Sequence, residues 1–134
     1  MTLEETTKQW NAENARRLMA RGEDELDLGL GEDAAKSFAE AADLVPTMAS
    51  YALRAAQIFL EVGEIESSVY YAENAVVASP RRKEIRLVAA AALQAQGRSG
   101  EARDHLKEVA SLDAEDDRVK DLMNQSDGES GGRR

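Results

Sequence analysis

The sequence predicts an all-α repeat solenoid, and three observations carry that reading. The first is a period. Gly29, Gly63 and Gly97 lie 34 residues apart, and the same interval or its double separates Pro46 from Pro80, Ala41 from Ala75, Ala34 from Ala102 and Leu44 from Leu112. A fixed interval of this size, marked by Gly, small residues and Pro, is the mark of stacked helical hairpins that bury their apolar faces against one another. The second is composition. Hydrophobic residues make up 43% of the 134 residues but aromatics only 4%, so the core must come from Ala, Leu, Val and Ile, with 89–92 an unbroken alanine run. Such residues favour helix and let helices approach closely. The third is apolar spacing of three and four within each unit, which is one face of a helix.

The elements follow in order. Residues 1–14 form an N-terminal helical extension: Thr2 with Glu5 reads as a capping box, Leu3 and Trp10 share a face seven residues apart, and one long helix can run from here into the first unit. Unit one is 15–48, with helices over 15–28 and 32–44, Gly29 between them and Pro46 after. Unit two is 49–82. Its first helix, 49–62, places Ala52, Ala55, Ala56 and Phe59 on one face, and Gly63 ends it in the left-handed conformation. Its second, 66–78, turns Val69, Ala72, Ala75 and Val76 inward. Pro80 then stops it and pushes Ser79 out of helical conformation. Unit three, 83–116, carries Leu87, Ala90 and Leu93 on 84–96, Gly97 as the break, and Ala102, Leu106, Val109 and Ala110 on 100–112. Residues 117–125, capped by Asp116 and with Val119 and Leu122 or Met123 as an apolar edge, are expected to form a C-terminal capping helix. Residues 126–134, rich in Gly and Ser, are expected to be disordered.

These residues resemble the tetratricopeptide repeat (TPR) family, over about 15–116 in three consecutive units without insertion. Unit one supplies Leu18, Gly22, Ala34, Phe38, Ala41 and Pro46 at the family's preferred positions. Unit two supplies Ala56, Phe59, Ala75 and Pro80, with Ser68 where Ala is usual, and unit three Ala90, Leu93, Ala102, Leu106 and Val109. The resemblance implies a right-handed superhelical solenoid. Two departures stand out: Arg21 and Glu25 occupy positions that are Leu and Tyr in the family, leaving the register of the first helix open, and Ala114 replaces the third Pro, so the last unit should run less sharply into the C-terminal segment.

Charge narrows the partners. The formal charge is −9, with 26 acidic against 17 basic residues, which repels phosphate backbones and anionic membranes and favours a basic or mixed-charge polypeptide. Nucleic acid and membrane are therefore not the expected partners. There is no cysteine, hence no disulfide and no thiolate metal site. The start, MTLEETTKQW, lacks the basic and apolar runs of a signal peptide, no stretch has the apolar length of a membrane helix, and the cytoplasm is the expected compartment.

No constellation for chemistry emerges, and no cofactor or metal is expected. His105 stands alone between Asp104 and Leu106 and reads as a solvated helix residue. Asp113, Glu115 and Asp117 alternate as in a calcium loop, but Arg118 and Asn124 stand where such a loop needs Gly and Glu. The acids Glu23, Asp24, Glu25 and Asp27 read as a solvated helix face. The turn at 97–100 has no preceding strand and no following Gly-Lys-Ser/Thr, so it is not a phosphate loop.

In the family the first helix of each unit lines a concave groove. The resemblance therefore implies a partner-binding surface of Arg16, Met19, Glu23, Leu26 and Asp27 from unit one. Unit two adds Ser50, Leu53, Gln57, Leu60 and Glu61, and unit three Glu84, Leu87, Ala91, Gln94 and Ala95. Met19, Leu26, Leu53, Leu60 and Leu87 would be its apolar floor and acids its walls, which suits a peptide or helix with apolar anchors and basic flanks. Some family members grip the C-terminal carboxylate of Hsp70 or Hsp90 with a carboxylate clamp of Lys, Asn and Arg. Those places hold Met19, Glu23, Arg54, Glu84 and Val88 here, and only Arg54 has the needed sign.

Two further features are candidate secondary interfaces. Arg81, Arg82, Lys83 and Arg86 run against the net charge at the junction of units two and three, either as a solvated loop pairing with Glu84 or as a contact for an acidic or phosphorylated peptide. Trp10, the only tryptophan, either packs on the second helix of unit one and closes that end or meets a partner or second copy together with Leu3. The leading expectation is a non-enzymatic adaptor. The others are self-association through the N-terminal helix or solenoid ends, giving a homodimer, and a chaperone resembling those of type III secretion.

Overall fold

The computed structural model describes residues 1–126, with side chains through Asp121. Six helices follow one another: α1 (Leu3–Asp27), α2 (Gly31–Leu44), α3 (Ala49–Glu61), α4 (Ile65–Ala78), α5 (Lys83–Ala95) and α6 (Ser99–Ser126). Each neighbours the next in an antiparallel run, so the pairs α1–α2, α3–α4 and α5–α6 are the three units.

The turns inside the units are one device used three times. Gly29, Gly63 and Gly97 have φ of 79°, 85° and 81°, the left-handed region that a Cβ opposes. Around Gly29, the amide of Leu30 donates to Glu25 O at 2.8 Å and that of Gly29 to Leu26 O at 2.9 Å. This is the Schellman arrangement that satisfies carbonyls at a helix end. The amides of Glu64 and Arg98 repeat the first of these bonds, donating to Phe59 O and Leu93 O at 2.8 Å each. Between units, α2 and α4 stop just before Pro46 and Pro80 at the non-helical residues Val45 and Ser79, because proline disfavours helical conformation at the residue before it.

Both ends of the chain are longer than the pattern. Thr2 and Glu5 do form a capping box: the Thr2 amide donates to Glu5 Oε1 at 2.7 Å and the Glu5 amide to Thr2 Oγ1 at 3.1 Å. From there α1 runs unbroken for 25 residues, so residue 14 marks no boundary in the backbone. At the other end α6 runs unbroken for 28 residues. A separate capping helix over 117–125 is not formed. Ala114, a strong helix former, keeps the amide that proline would have removed. Of the expected disordered segment 126–134, Ser126 closes α6 and residues 127–134 lie outside the described part.

Core packing joins one unit to the next. Ala34, Ala35, Phe38 and Ala39 of unit one meet Ala55, Ile58 and Phe59 of unit two. Ala42, Ala49, Ala52, Leu53, Ala75 and Ile85 then link all three units, and Val69 meets Ala90, Ala92, Leu93 and Ala102 in the last joint. Gly22 locks the register of α1. A Cβ built there would fall 2.4 Å from Phe38 Cε1, so only glycine lets α1 lie flat on the ring.

Candidate partner-binding groove

α1, α3 and α5, the first helices of the units, lie side by side. Arg54 on α3 reaches Glu23 on α1 with two parallel bonds of 2.9 Å, and Gln57 on α3 reaches Glu84 on α5 at 3.4 Å. The residues expected to line this row divide by exposure. Arg16, Glu23, Asp27, Ser50, Glu61, Glu84, Leu87, Ala91, Gln94 and Ala95 are exposed; Met19, Leu26, Gln57 and Leu60 are half-buried. Leu53 is a correction. It is 4% exposed and packs with Ala49, Ala52 and Ile85, so it belongs to the core. Met19 and Leu26 lean on the Phe38 cluster and Leu60 on the Leu93 cluster. The protein's own core consumes most of the expected apolar floor, and Leu87, 48% exposed, is the large apolar side chain that remains.

The row is acidic. Glu23, Asp27, Glu61 and Glu84 stand against Arg16 and Arg54, and Arg54 is committed. Its hydrogen bonds hold the Glu23 carboxyl below the usual carboxylate range and its own guanidinium above its usual value. The guanidinium also sits 5.3 Å over the Phe38 ring, a favourable cation–π geometry. The unit-one end of the row is thus closed by a fork-to-carboxylate pair, while the open part centres on Leu87.

The basic cluster at the junction of units two and three is engaged within the chain. Arg81 pairs with Glu115. Lys83 donates to Asp113 at 2.8 Å and Asp116 at 2.7 Å, and Arg82 reaches Ser50 at 3.2 Å and Glu84 at 3.5 Å. Arg86 donates to the Pro80 carbonyl at 2.9 Å. The Arg81 and Lys83 pairs tie the start of α5 to the second half of α6, beyond the point where the helix was expected to end.

His105 is the second correction. It is 9% exposed rather than solvated. Its Nδ1 lies 3.1 Å from Arg86 Nη1 and its Nε2 3.0 Å from Glu73 Oε1. Arginine can only donate, so Nδ1 accepts, and Nε2 carries the proton that goes to Glu73. A neutral imidazole thereby bridges α4, α5 and α6. The sequence held one sign of this: Arg86 stands where units one and two have Leu18 and Ala52. The partners of His105, Arg86 at 19 residues and Glu73 at 32, stand on other helices and left no local pattern.

Trp10 is the third. It stays 58% exposed and does not close the end of unit one; it borders a cleft of about 510 Å³ with Leu18 and Leu44. Among the described residues no cluster of three metal-ligating side chains occurs, and no helix is long and apolar enough to cross a membrane.

No family model and no curated protein matches the sequence. Solved structures do. The second TPR domain of Spaghetti (RPAP3), bound to the HSP90 peptide SRMEEVD, superposes with a TM-score of 0.68 at 18% identity, over 78% of this chain and 96% of that one. The fold is the TPR solenoid. The first TPR domain of the same protein, bound to the same peptide, gives 0.67 at 17% identity over 75% and 80% of the two chains. MamA gives 0.66 at 17% identity over 74% of this chain, which spans 58% of the MamA chain. At these identities the likeness is one of fold, so which side chains fill the TPR framework has to be read from this chain.

Proposed function

We propose that this protein is a cytoplasmic, non-enzymatic adaptor whose groove takes a basic polypeptide segment with an apolar anchor at Leu87. The observation that carries the reading is one exposed leucine on the row of first helices with an acid one turn before it: Glu84 precedes Leu87 on α5, and Glu61 follows the half-buried Leu60 at the end of α3. A helix or extended peptide offering a leucine-sized side chain and Lys or Arg neighbours would bury the apolar contact and complement the charge.

The contrast with the RPAP3 domains sharpens this. Their ligand, SRMEEVD, is acidic. Here the clamp positions are Met19, Glu23, Arg54, Glu84 and Val88, and the one cation among them is occupied by Glu23. An acidic C-terminal peptide meets like charge, which costs affinity and slows association.

Three labelled peptides test the proposal by fluorescence anisotropy: a leucine-containing helix flanked by Lys and Arg, the same helix flanked by Glu, and SRMEEVD. The basic peptide is expected to bind with micromolar affinity that weakens as salt is raised. Leu87→Glu, or Glu61→Lys with Glu84→Lys, should reduce its affinity at least about tenfold. Equal or tighter binding of the acidic peptides would overturn the reading. Leu53 is left intact in this test, because a charge placed there would be buried and would unfold the protein.

A further inference from the structure

We propose that the cleft between α2 and α4, the second helices of units one and two, is a binding site for an arginine side chain of a partner polypeptide. The cleft has a volume of about 620 Å³ and the buried Ala52 of α3 is one of its walls. Its occupant can be read from the chain itself, because unit three holds the same frame already filled. Each position lies 34 residues further on: Pro80 for Pro46, Arg86 for Ala52 and His105 for Tyr71. Arg86 donates to the Pro80 carbonyl at 2.9 Å and, through Nη1, to His105 Nδ1 at 3.1 Å. Pro46, Ala52 and Tyr71 all line the cleft. Their counterparts in unit three are therefore an arginine and the two residues that hold it.

The backbone of the two frames is the same. Val45 and Ser79, which end α2 and α4, have φ of −133° and −148° with ψ of 75° and 79°. The Met48 amide then donates to Val45 O at 3.0 Å as the Arg82 amide does to Ser79 O at 3.4 Å. The Pro46 carbonyl thus stands where the Pro80 carbonyl accepts from Arg86, and among the described residues nothing in the chain donates to it. Each joint also carries an acid on the second helix of the earlier unit: His105 donates to Glu73 at 3.0 Å, and the Tyr71 hydroxyl lies 3.1 and 3.2 Å from the two carboxylate oxygens of Asp43. A hydroxyl has one proton to give, so Asp43 keeps most of its accepting capacity. Of the two arginines that border the neighbouring cleft together with Asp43, Arg21 goes to Glu25 and Arg17 reaches no acid among the described residues.

Charge and shape select arginine. A guanidinium presents five N–H groups in a fixed fork and can meet a carbonyl and a carboxylate together. Asp43 supplies the charge and Pro46 the carbonyl, and Ala52 leaves open the space that Arg86 fills in unit three. On α4 the rim is apolar and aromatic. Tyr70 is 59% and Val77 83% exposed, and the Tyr70 ring is held edge-on to Tyr71 with centroids 4.9 Å apart. An aromatic face suits a guanidinium and its methylene stem, and Val77 suits an apolar neighbour of the arginine. The site stands apart from Glu84 and Leu87 on α5, so it is independent of the peptide-binding reading of that groove.

The test is amide NMR of the full chain titrated with two capped peptides, Gly-Ser-Arg-Leu-Ser-Gly and the same peptide with citrulline, the neutral isostere, in place of arginine. The arginine peptide is expected to give saturable shifts in residues 43–47 and 70–78, and the citrulline peptide little or none. Asp43→Asn keeps an acceptor for Tyr71 and should weaken the arginine peptide at least about tenfold. Ala52→Arg places the chain's own arginine in the cleft, as unit three does, and should abolish the shifts, with circular dichroism to show that both variants are folded. Leu87→Glu should leave the shifts at these residues unchanged. Equal binding of the citrulline peptide, shifts confined to α1 and α5, or unaltered binding in Asp43→Asn would each overturn the proposal. So would a mass that doubles with concentration in wild type and not in Asp43→Asn with no peptide added, which would give the cleft to a second copy.

Discussion

The two joints of this solenoid use the same backbone and different chemistry. Between units one and two the buried contact is apolar, Ala35, Phe38 and Ala39 against Ala55, Ile58 and Phe59, with the Arg54–Glu23 and Tyr71–Asp43 pairs on its exposed edges. Between units two and three an apolar contact of Val69 with Ala90 and Leu93 is joined by a part-buried hydrogen-bonded bridge of Glu73, Arg86 and His105. The repeat therefore specifies where helices meet and leaves open what holds them there. An apolar joint tolerates loss of a methyl group in proportion to the cavity left. A polar bridge in a buried place is satisfied as a whole or not at all.

Breaking the first joint should have the largest effect. Phe38 is fully buried and is touched by α1 at Gly22, by the Arg54 guanidinium and by the unit-two core, so Phe38→Ala empties the centre of unit one. A loss of about 3–5 kcal/mol is expected in urea unfolding followed by circular dichroism. A loss under about 1 kcal/mol would show that the α1–α2 pair is not packed on the ring.

Breaking the second joint should cost less and act locally. His105→Ala leaves Arg86 with its Pro80 bond and the part-exposed Glu73 to water, and a loss of about 0.5–1.5 kcal/mol is expected for the hydrogen bond removed. Native-state hydrogen exchange should quicken in α5 and α6 and stay near wild type in α1 and α2. Uniform quickening would mean that the bridge supports the whole array rather than one joint.

The part of the molecule legible in the sequence divides along the same line. The period, the three left-handed glycines, the two prolines and the capping box each act within a few residues, and each appears where the spacing places it. The features that escape the sequence are long-range or depend on exposure. Leu53 and Leu87 occupy the same position in successive units, yet Leu53 is buried against Ile85 of the next unit while Leu87 is left uncovered among the described residues. Arg54 and Glu23 are 31 residues apart, beyond any local pattern, and their pairing closes one end of the groove. Trp10 is legible as unusual, but its exposure comes from α1 being longer than α2. α6 runs through the apparent cap at Asp116 because the missing third proline leaves nothing to interrupt its backbone hydrogen bonds.

That carboxylate, in fact, ends no helix. It holds one. Asp116 and Asp113 share the Lys83 ammonium, and those hydrogen bonds lower the Asp116 pKa and raise that of Lys83. A lowered aspartate contributes stability above its unfolded value, about 3.9, and loses it as pH falls through the folded value. A raised lysine contributes below its unfolded value, about 10.4, and loses it as pH rises through the folded value. The clamp is therefore intact across the neutral range and opens from the acid side first. All three groups are exposed, so salt screens them and the effect on global unfolding should be smaller than that of breaking either joint. Its reach is local: at neutral pH Lys83→Met should speed amide exchange in residues 113–121 with little change in the unfolding midpoint, and acidification should then add little more there. Exchange unchanged in Lys83→Met would mean that α6 continues past Leu112 on its own helical propensity, with the missing proline as the whole cause.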